Sequence, residues 1–333
     1  MRFNVPWSDD ANAGLAETDS DPQAASGDME KPGMTASGTG AYRLQGIVKA
    51  LALTELRVEL DTRLGAIWCF QQHRKRPNFT LSLLKDIRAM QRLVTDFHRD
   101  HPQEARRLAR FLIWGSDVNG VFNLGGDLSY FVHLLEQADF PRLRAYAMSC
   151  LDVCFANYSG LHADVIVGAL VAGDALGGGF ESALSCDFII AEEPARFGLP
   201  EILYGLFPGM GAYSFLSRRV GQAKAESIIL DGRLHEAPEI RQLGLAEQVT
   251  AAGQGRAETQ RHLAKLSKRF DAVLSVLNAK RRTAPVSYRE MTDIAEDWIA
   301  TASRLSSHEL RMMRKLAAAQ DARLEASRTA GSC

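Results

Sequence analysis

The stretch "VAGDALGGGFESALSCDFIIAEEPARFGLPEILYGLFPGMGAYSFL", residues 171–216, decides how this chain is read. An apolar run, "DVIVGALVAG" (164–173), reads as a buried strand and leads into three consecutive glycines, Gly177, Gly178 and Gly179. Glycine loses more chain entropy on folding than any other residue and brings no side chain to a core. Its use here calls for a local reason. A helix opens near Gly178, and its first N–H groups have no internal partners and sit at the positive end of the helix dipole. With no Cβ in the way, a substrate oxygen can approach them. Close helix–sheet packing would also select glycine, so both readings stand at this point.

Working outward, "VFNLGGDLSYF" (121–131) repeats the arrangement: it follows the apolar "RFLIWGSD" (110–117) and opens a helix near Asp127. Two such turns can bring two peptide N–H groups to one point, which is the form of an oxyanion hole. Glu181 and Glu201 then make a candidate acid–base pair, provided their surroundings separate their pKa values. The apolar flank of Phe180, Leu199 and Ile202 is of the kind that raises a carboxyl pKa. Taken singly, Glu181 suits a favourable charge in a first helical turn, and Glu201 an N-cap or surface role in "LPEILYG". The combination favours chemistry.

Other glycine motifs fail. Gly173 and Gly178 have the P-loop spacing, but Gly179-Phe180 stands where Lys-Ser/Thr is needed. No GxGxxG occurs here, and there is no GxSxG and no HExxH. The eight histidines form no metal-like cluster, so no metal site is expected.

The remainder reads as strand and helix in alternation. "LRVELD" (56–61) and "GAIWCFQQH" (65–73) suggest adjacent strands, and "LSLLKDIRAMQRLVTDFHRD" (81–100) is an amphipathic helix. A longer helix covers about 142–158, "DFIIAEE" (187–193) is a strand, and "AEQVT" (246–250) a last short one. This is the pattern of an α/β domain with largely parallel pairing. Beyond Gly211 almost everything reads as helix. Residues 1–43 read as a disordered tail rich in Ser, Gly, Ala, Asp and Pro, residues 44–254 as the α/β core, and residues 255–333 as a helical region.

The 333 residues are 46% hydrophobic and 24% charged, with a formal net charge of −1, which argues against electrostatic nucleic-acid binding. No apolar run approaches the roughly 18–20 residues of a membrane span. The acidic N-terminal segment has the marks of neither a signal nor a transit peptide. Cys69, Cys150, Cys154, Cys186 and Cys333 form no CxxC and read as free thiols in a reducing cytoplasm.

Over roughly residues 50–270 the chain resembles the crotonase (enoyl-CoA hydratase) superfamily. The resemblance rests on "RPNFTLSLLKDI", "FNLGGDL", "GDALGGGFESALSCDFIIAEE", "FGLPEILYGLFPGMGAYSFLSRRVG" and "RLHEAPEIRQLGLAEQV", in family order. Within it, "SDVNGVFNLGGDLSYF" and "LFPGMGAYSF" are most similar to the bacterial diffusible signal factor synthases, which make cis-2-unsaturated fatty acids as quorum signals. The resemblance implies an α/β spiral of β-β-α turns with a C-terminal helical trimerisation part. It also implies Gly126 and Gly178 as oxyanion N–H donors, Glu181 and Glu201 as acid and base, and no cofactor beyond a substrate carried as a phosphopantetheine thioester.

Two departures bear on the carrier. "GAYSFL" replaces a Gly-Thr-Gln-Arg-Leu-like run, and residues 116–137 contain no Lys or Arg. Both leave acyl carrier protein open beside CoA. The basic "HRKRP" (73–77) lies where crotonases begin their CoA site and could meet phosphopantetheine or an acidic carrier protein, though a solvated charged loop accounts for it more readily. The expected chemistry is dehydration of a medium-chain 3-hydroxyacyl thioester, with Glu201 at C2 and Glu181 at the hydroxyl, followed by thioester hydrolysis. Gly125, Gly177, Leu199, Met210, Tyr213, Phe215 and Leu216 are the expected substrate-binding residues, the last three lining the acyl tunnel. The rivals are an acyl-CoA hydratase/isomerase of fatty-acid degradation and a catalytically silent scaffold. By the same resemblance the chain is expected to be a homo-trimer or hexamer, with a sensor kinase as a possible regulator.

Overall fold

The chain builds two sheets by alternating between them. A computed structural model describes residues 36–330, Lys75 excepted. Helix α1 (Ala36–Ala50) precedes a hairpin of β1 (Leu56–Asp61) and β2 (Ala66–Gln71), antiparallel with Leu56 opposite Gln71. Then come α2 (Leu81–Asp100) and α3 (Pro102–Leu108). Thr80 caps α2, its hydroxyl accepting from the Leu83 N–H at 3.2 Å.

Three turns of one pattern follow. The first is β3 (Phe111–Ser116), β4 (Val121–Asn123), α4 (Leu128–Glu136) and α5 (Phe140–Tyr158). The second is β5 (Ile166–Val171), β6 (Asp174–Leu176) and α6 (Gly178–Leu184). The third is β7 (Phe188–Glu192), β8 (Arg196–Gly198) and a 3-10 helix, Pro200–Tyr204. The chain continues with α7 (Ala212–Val220), α8 (Gln222–Asp231), β9 (Leu234–Glu236), α9 (Ala237–Gln242) and β10 (Gln248–Thr250). It closes with α10 (Gly255–Ser267), α11 (Phe270–Thr283), α12 (Tyr288–Ala302) and α13 (Ser307–Ala330).

The large sheet runs β1-β2-β3-β5-β7-β10, parallel except at the hairpin, and the small sheet runs β4-β6-β8-β9. Each β-β-α turn therefore adds one strand to each sheet beside its predecessor, which makes a spiral. Every residue of β2 and β5 is buried, as expected of parallel strands covered on both faces. Alternate side chains point to opposite sides. Ile67, Cys69, Leu112, Trp114 and Val167 join the cluster containing α2 and α5 side chains. Trp68, Phe70, Phe111, Ile113 and Ile166 pack with Leu263, Phe270 and Leu274 of α10 and α11.

Three elements differ from the sequence reading. Residues 36–43, expected in the tail, belong to α1, while 1–35 lie outside the described residues. Helix α1 is held by the fully buried Leu44 and by Arg43, which pairs with Glu104 of α3 at 2.9 Å. Ser37, Gly38, Thr39 and Gly40 are poor helix formers, so the start of this helix reads as tail. Helix α3 is a short segment with Pro at its start and Arg106 and Arg107 in its last turn. The second strand of each β-β-α turn, implied by the resemblance, leaves no pattern of its own, because the strands of the small sheet have three residues each and are too short to show a period.

Candidate active site

The spiral places three equivalent joints side by side. Leu124–Asp127 links β4 to α4, Gly177 links β6 to α6, and Leu199 links β8 to the 3-10 helix that carries Glu201. Because β4 pairs with β6 and β6 with β8, their exits are neighbours. The Gly177 N–H donates to the Gly198 carbonyl at 2.8 Å, tying the second joint to the third. A Cβ on Gly125 would lie 2.9 Å from the Gly178 nitrogen, so the first and second joints also touch.

The glycines serve different ends. Gly177 has φ +52° and ψ −128°, a conformation side chains avoid, and a Cβ there would fall 2.5 Å from Oε1 of Glu201. Its bare backbone makes room for that carboxyl. At Gly179 a Cβ would sit 2.0 Å from the Asn123 carbonyl oxygen, so close packing explains that position. Close packing, one of the two readings offered by the sequence, holds at Gly179, while Gly177 serves an end that the sequence does not suggest. Among the described residues no acceptor takes the Gly126 or the Gly178 N–H. Both residues line the same cavity.

That cavity, of about 360 Å³, also receives Glu181 and Glu201. Glu181 is 1% exposed, and its Oε2 accepts from the Met210 and Ala212 N–H groups, each at 2.8 Å. Burial pushes its pKa up to about 7, against the pull of those donors. Glu201 has no such support: its Oε2 is buried without a hydrogen-bond partner. Burial, and then the neighbouring Glu181 charge, push it up to about 8. With two backbone donors on Glu181 and none on Oε2 of Glu201, Glu181 is the better supported as an anion and Glu201 the better home for a shared proton. Tyr204, buried at the same wall, is pushed well above its ordinary value by burial and by the two glutamates.

Of the residues expected to bind substrate, Gly125, Gly177 and Met210 line the cavity. Leu199, Tyr213, Phe215 and Leu216 do not, which corrects the expected acyl tunnel. Helix α7 touches the site only at its start, through the Ala212 N–H. Beyond it, Phe215 stacks on Tyr158 at 5.5 Å and Leu216 is fully buried in the core. Tyr213 turns outward to donate to Glu226 at 2.8 Å, and Leu199 is a buried joint residue. The apolar wall is made instead by Leu128 and Phe131 of α4, Leu206, Trp298 of α12 and Leu316 of α13. Phe131 and Trp298 have ring centroids 5.1 Å apart. "LGGDLSYF" placed Leu128 and Phe131 on the helix opened by the first glycine turn, a signal that could have been used. No local pattern points to Trp298 or Leu316.

In the basic loop, Arg76 binds Asp127 at 2.7 Å and Asp321 at 3.4 Å. Among the described residues no group of His, Cys, Asp and Glu is arranged to hold a metal ion, and no helix is long and apolar enough to cross a membrane.

Residues 110–325 match the family model for enoyl-CoA hydratase/isomerase. A probable enoyl-CoA hydratase of Rhizobium meliloti (strain 1021) is 54% identical over 83 residues, which cover 25% of this chain and 32% of that protein. A probable mitochondrial enoyl-CoA hydratase of Arabidopsis thaliana is 32% identical over 169 residues, 50% of this chain and 52% of that one. The chain thus spans about a third to a half of the length of these curated relatives. The crystal structure of an enoyl-CoA hydratase from Bacillus halodurans superposes with a TM-score of 0.62 at 19% identity, over 82% of this chain and 100% of the other. Spiral, paired sheets and matched segment agree: the chain belongs to the enoyl-CoA hydratase/isomerase family, with the crotonase fold.

Proposed function

We propose that this protein is an enoyl-thioester hydratase, with double-bond isomerisation accessible to the same proton-transfer pair. The observation that carries the reading is the unequal support of two buried glutamates facing two unpaired glycine N–H groups across one cavity. The thioester oxygen sits between the Gly126 and Gly178 N–H groups, which stabilise the enolate as charge develops on it. Glu181, holding the negative charge, takes a proton from water as its oxygen bonds to C3. Glu201, holding the proton, delivers it to C2. The double-bond electrons pass through the enolate and return to form the C2–H bond. Dehydration is the same path reversed, with Glu201 at C2 and Glu181 at the departing hydroxyl.

A second reading is synthesis of a cis-2-unsaturated fatty-acid signal, with dehydration followed by thioester hydrolysis in the same oxyanion hole. It draws support from "SDVNGVFNLGGDLSYF" and "LFPGMGAYSF", and from an apolar wall suited to a medium alkyl chain. Acyl carrier protein or CoA as carrier, a homo-trimer or hexamer, and a sensor-kinase regulator belong to these proposals.

The test is mass spectrometry of products from trans-2-dodecenoyl and 3-hydroxydodecanoyl thioesters, each on CoA and on acyl carrier protein. Hydration with all product still on its carrier supports the hydratase. Free dodecenoic acid, lost in Glu181→Ala and Glu201→Ala, moves the assignment to signal synthesis. No turnover of any thioester rejects both.

A further inference from the structure

The turn that carries Gly126 is fastened almost completely, and part of the fastening comes from the far end of the chain. The Leu124 N–H donates to the Pro77 carbonyl at 2.7 Å, and the Gly125 N–H to Oδ1 of Asn123 at 2.8 Å. The Gly125 carbonyl accepts from the Phe79 N–H at 2.8 Å, and the Gly126 carbonyl from Nδ2 of Asn78 at 3.0 Å. The Leu124 carbonyl accepts from Nε2 of Gln320, on α13, at 3.0 Å. Five of the six backbone polar groups of Leu124–Gly126 are thus occupied. The sixth, the Gly126 N–H, is left for the cavity.

Asn78 and Gln320 form one unit. Nδ2 of Asn78 also donates to Oε1 of Gln320 at 3.0 Å, so the amides clasp each other while each holds a carbonyl of the turn. Asn78 is 1% exposed, in a setting where its hydrogen bonds are not readily exchanged for water. The next residue of α13, Asp321, reaches the turn's other flank through Arg76, which also holds Asp127.

We propose that Gln320 and Asn78 are positioning residues that set the orientation of the Gly126 peptide, so that helix α13 takes part in building the oxyanion hole. The donor peptide's own carbonyl, that of Gly125, is held by the Phe79 N–H, and the Leu124 and Gly126 carbonyls belong to the peptides on either side, so the clasp restrains both neighbours about which the donor peptide can turn. Losing one clasp lets the turn rotate and misaim the donor; Gln320 itself lines the cavity and Asn78 does not, so losing the clasp from the Asn78 side leaves the lining residues unchanged. The proposal rests on the reading of the Gly126 N–H as an oxyanion donor.

The test compares full-length wild type with Gln320→Met, which keeps the side-chain length but makes neither bond. Arg314→Ala is the control, since it removes a contact of α13 with Glu136 away from the turn. Two readouts are needed: steady-state hydration of a 2-enoyl thioester, and the near-ultraviolet absorbance of a bound 3-oxoacyl thioester, which reports how much of it is held as enolate. Gln320→Met is expected to lower kcat about tenfold with KM within about twofold, and to lower the enolate signal at saturation. Arg314→Ala should change neither. Asn78→Ala makes the same test from the side of the clasp that does not line the cavity, so it is measured beside Gln320→Met and is expected to show the same loss.

An unchanged kcat and enolate signal in the clasp variant overturns the positioning role, as does an equal loss in Arg314→Ala. A wild-type protein with neither hydration nor enolate signal instead removes the underlying reading of the site, and the proposal with it.

Discussion

The two ends of the cavity are built on different principles. The end that carries Glu181 and Glu201, the reacting end of the proposed function, is assembled from three equivalent joints of successive spiral turns, adjacent because the strands before them are hydrogen-bonded neighbours. The apolar end is assembled from α4, α12 and α13, which meet only through tertiary packing. Repetition fixes the first end locally, and small geometric errors there are costly. The second end is a wall of side chains, where volume matters more than angle.

The largest effects should fall on the reacting end. Glu181→Gln and Glu201→Gln are each expected to lower kcat by about 10²–10⁴-fold in a hydration assay, with the circular dichroism spectrum unchanged. Retention of most activity in either variant would break the acid–base assignment.

Gly177→Ala should come next. It forces a side chain into a conformation reserved for glycine and against the Glu201 carboxyl, so a loss of about 1–3 kcal/mol is expected along with most of the activity. Thermal unfolding and kcat would be measured together; a variant as stable and as active as wild type would show that the joint is more plastic than argued.

At the wall, Phe215→Ala and Trp298→Ala separate core from cavity. Both lose buried aromatic packing, on the order of 3–5 kcal/mol. Only Trp298→Ala should shift preference toward longer acyl chains, because only Trp298 lines the cavity. A shift in chain preference from Phe215→Ala would return α7 to the acyl pocket. Tyr213→Phe, at the exposed end of the scale, should alter neither stability nor chain preference measurably.

The pH dependence sharpens the difference between the two glutamates. Both carboxyls have folded values raised above the ordinary 4.5, to about 7 and about 8. Between those limits the folded chain holds protons that the unfolded chain has released, so this contribution to stability falls as pH rises. Glu201→Gln has no such proton to lose. It should therefore gain stability relative to wild type above about pH 8, with the gap closing toward pH 4.5. Urea unfolding at both ends of the range checks this, and a gap independent of pH would contradict it. The pair titrates jointly, so kcat for hydration should fall on the alkaline side as the last shared proton leaves.

The local architecture of the reacting end is legible in the sequence. "FNLGGDL" and "GDALGGGFESAL" announce strand, glycine turn and helix, and Glu181 lies a few residues past its turn. The wall was not. Tyr213, Phe215 and Leu216 were natural candidates because they follow the site in sequence, yet α7 turns them toward core and solvent. Trp298 and Leu316 are distant in the chain and ordinary members of helical stripes.

By itself the sequence determined what depends on neighbours along the chain: the α/β alternation, the helix openings at Gly126 and Gly178, the family, and the two carboxylates. Backbone freedom and side-chain periodicity act over a few residues, so they leave a local trace. Tertiary structure alone decided which glycine accommodates Glu201, which glutamate is the better supported as an anion, and which helices close the pocket. It also decided that Gln320 grips the turn of Gly126. Desolvation, steric fit and long-range hydrogen bonds arise only when distant segments meet, and no short stretch of chain contains them.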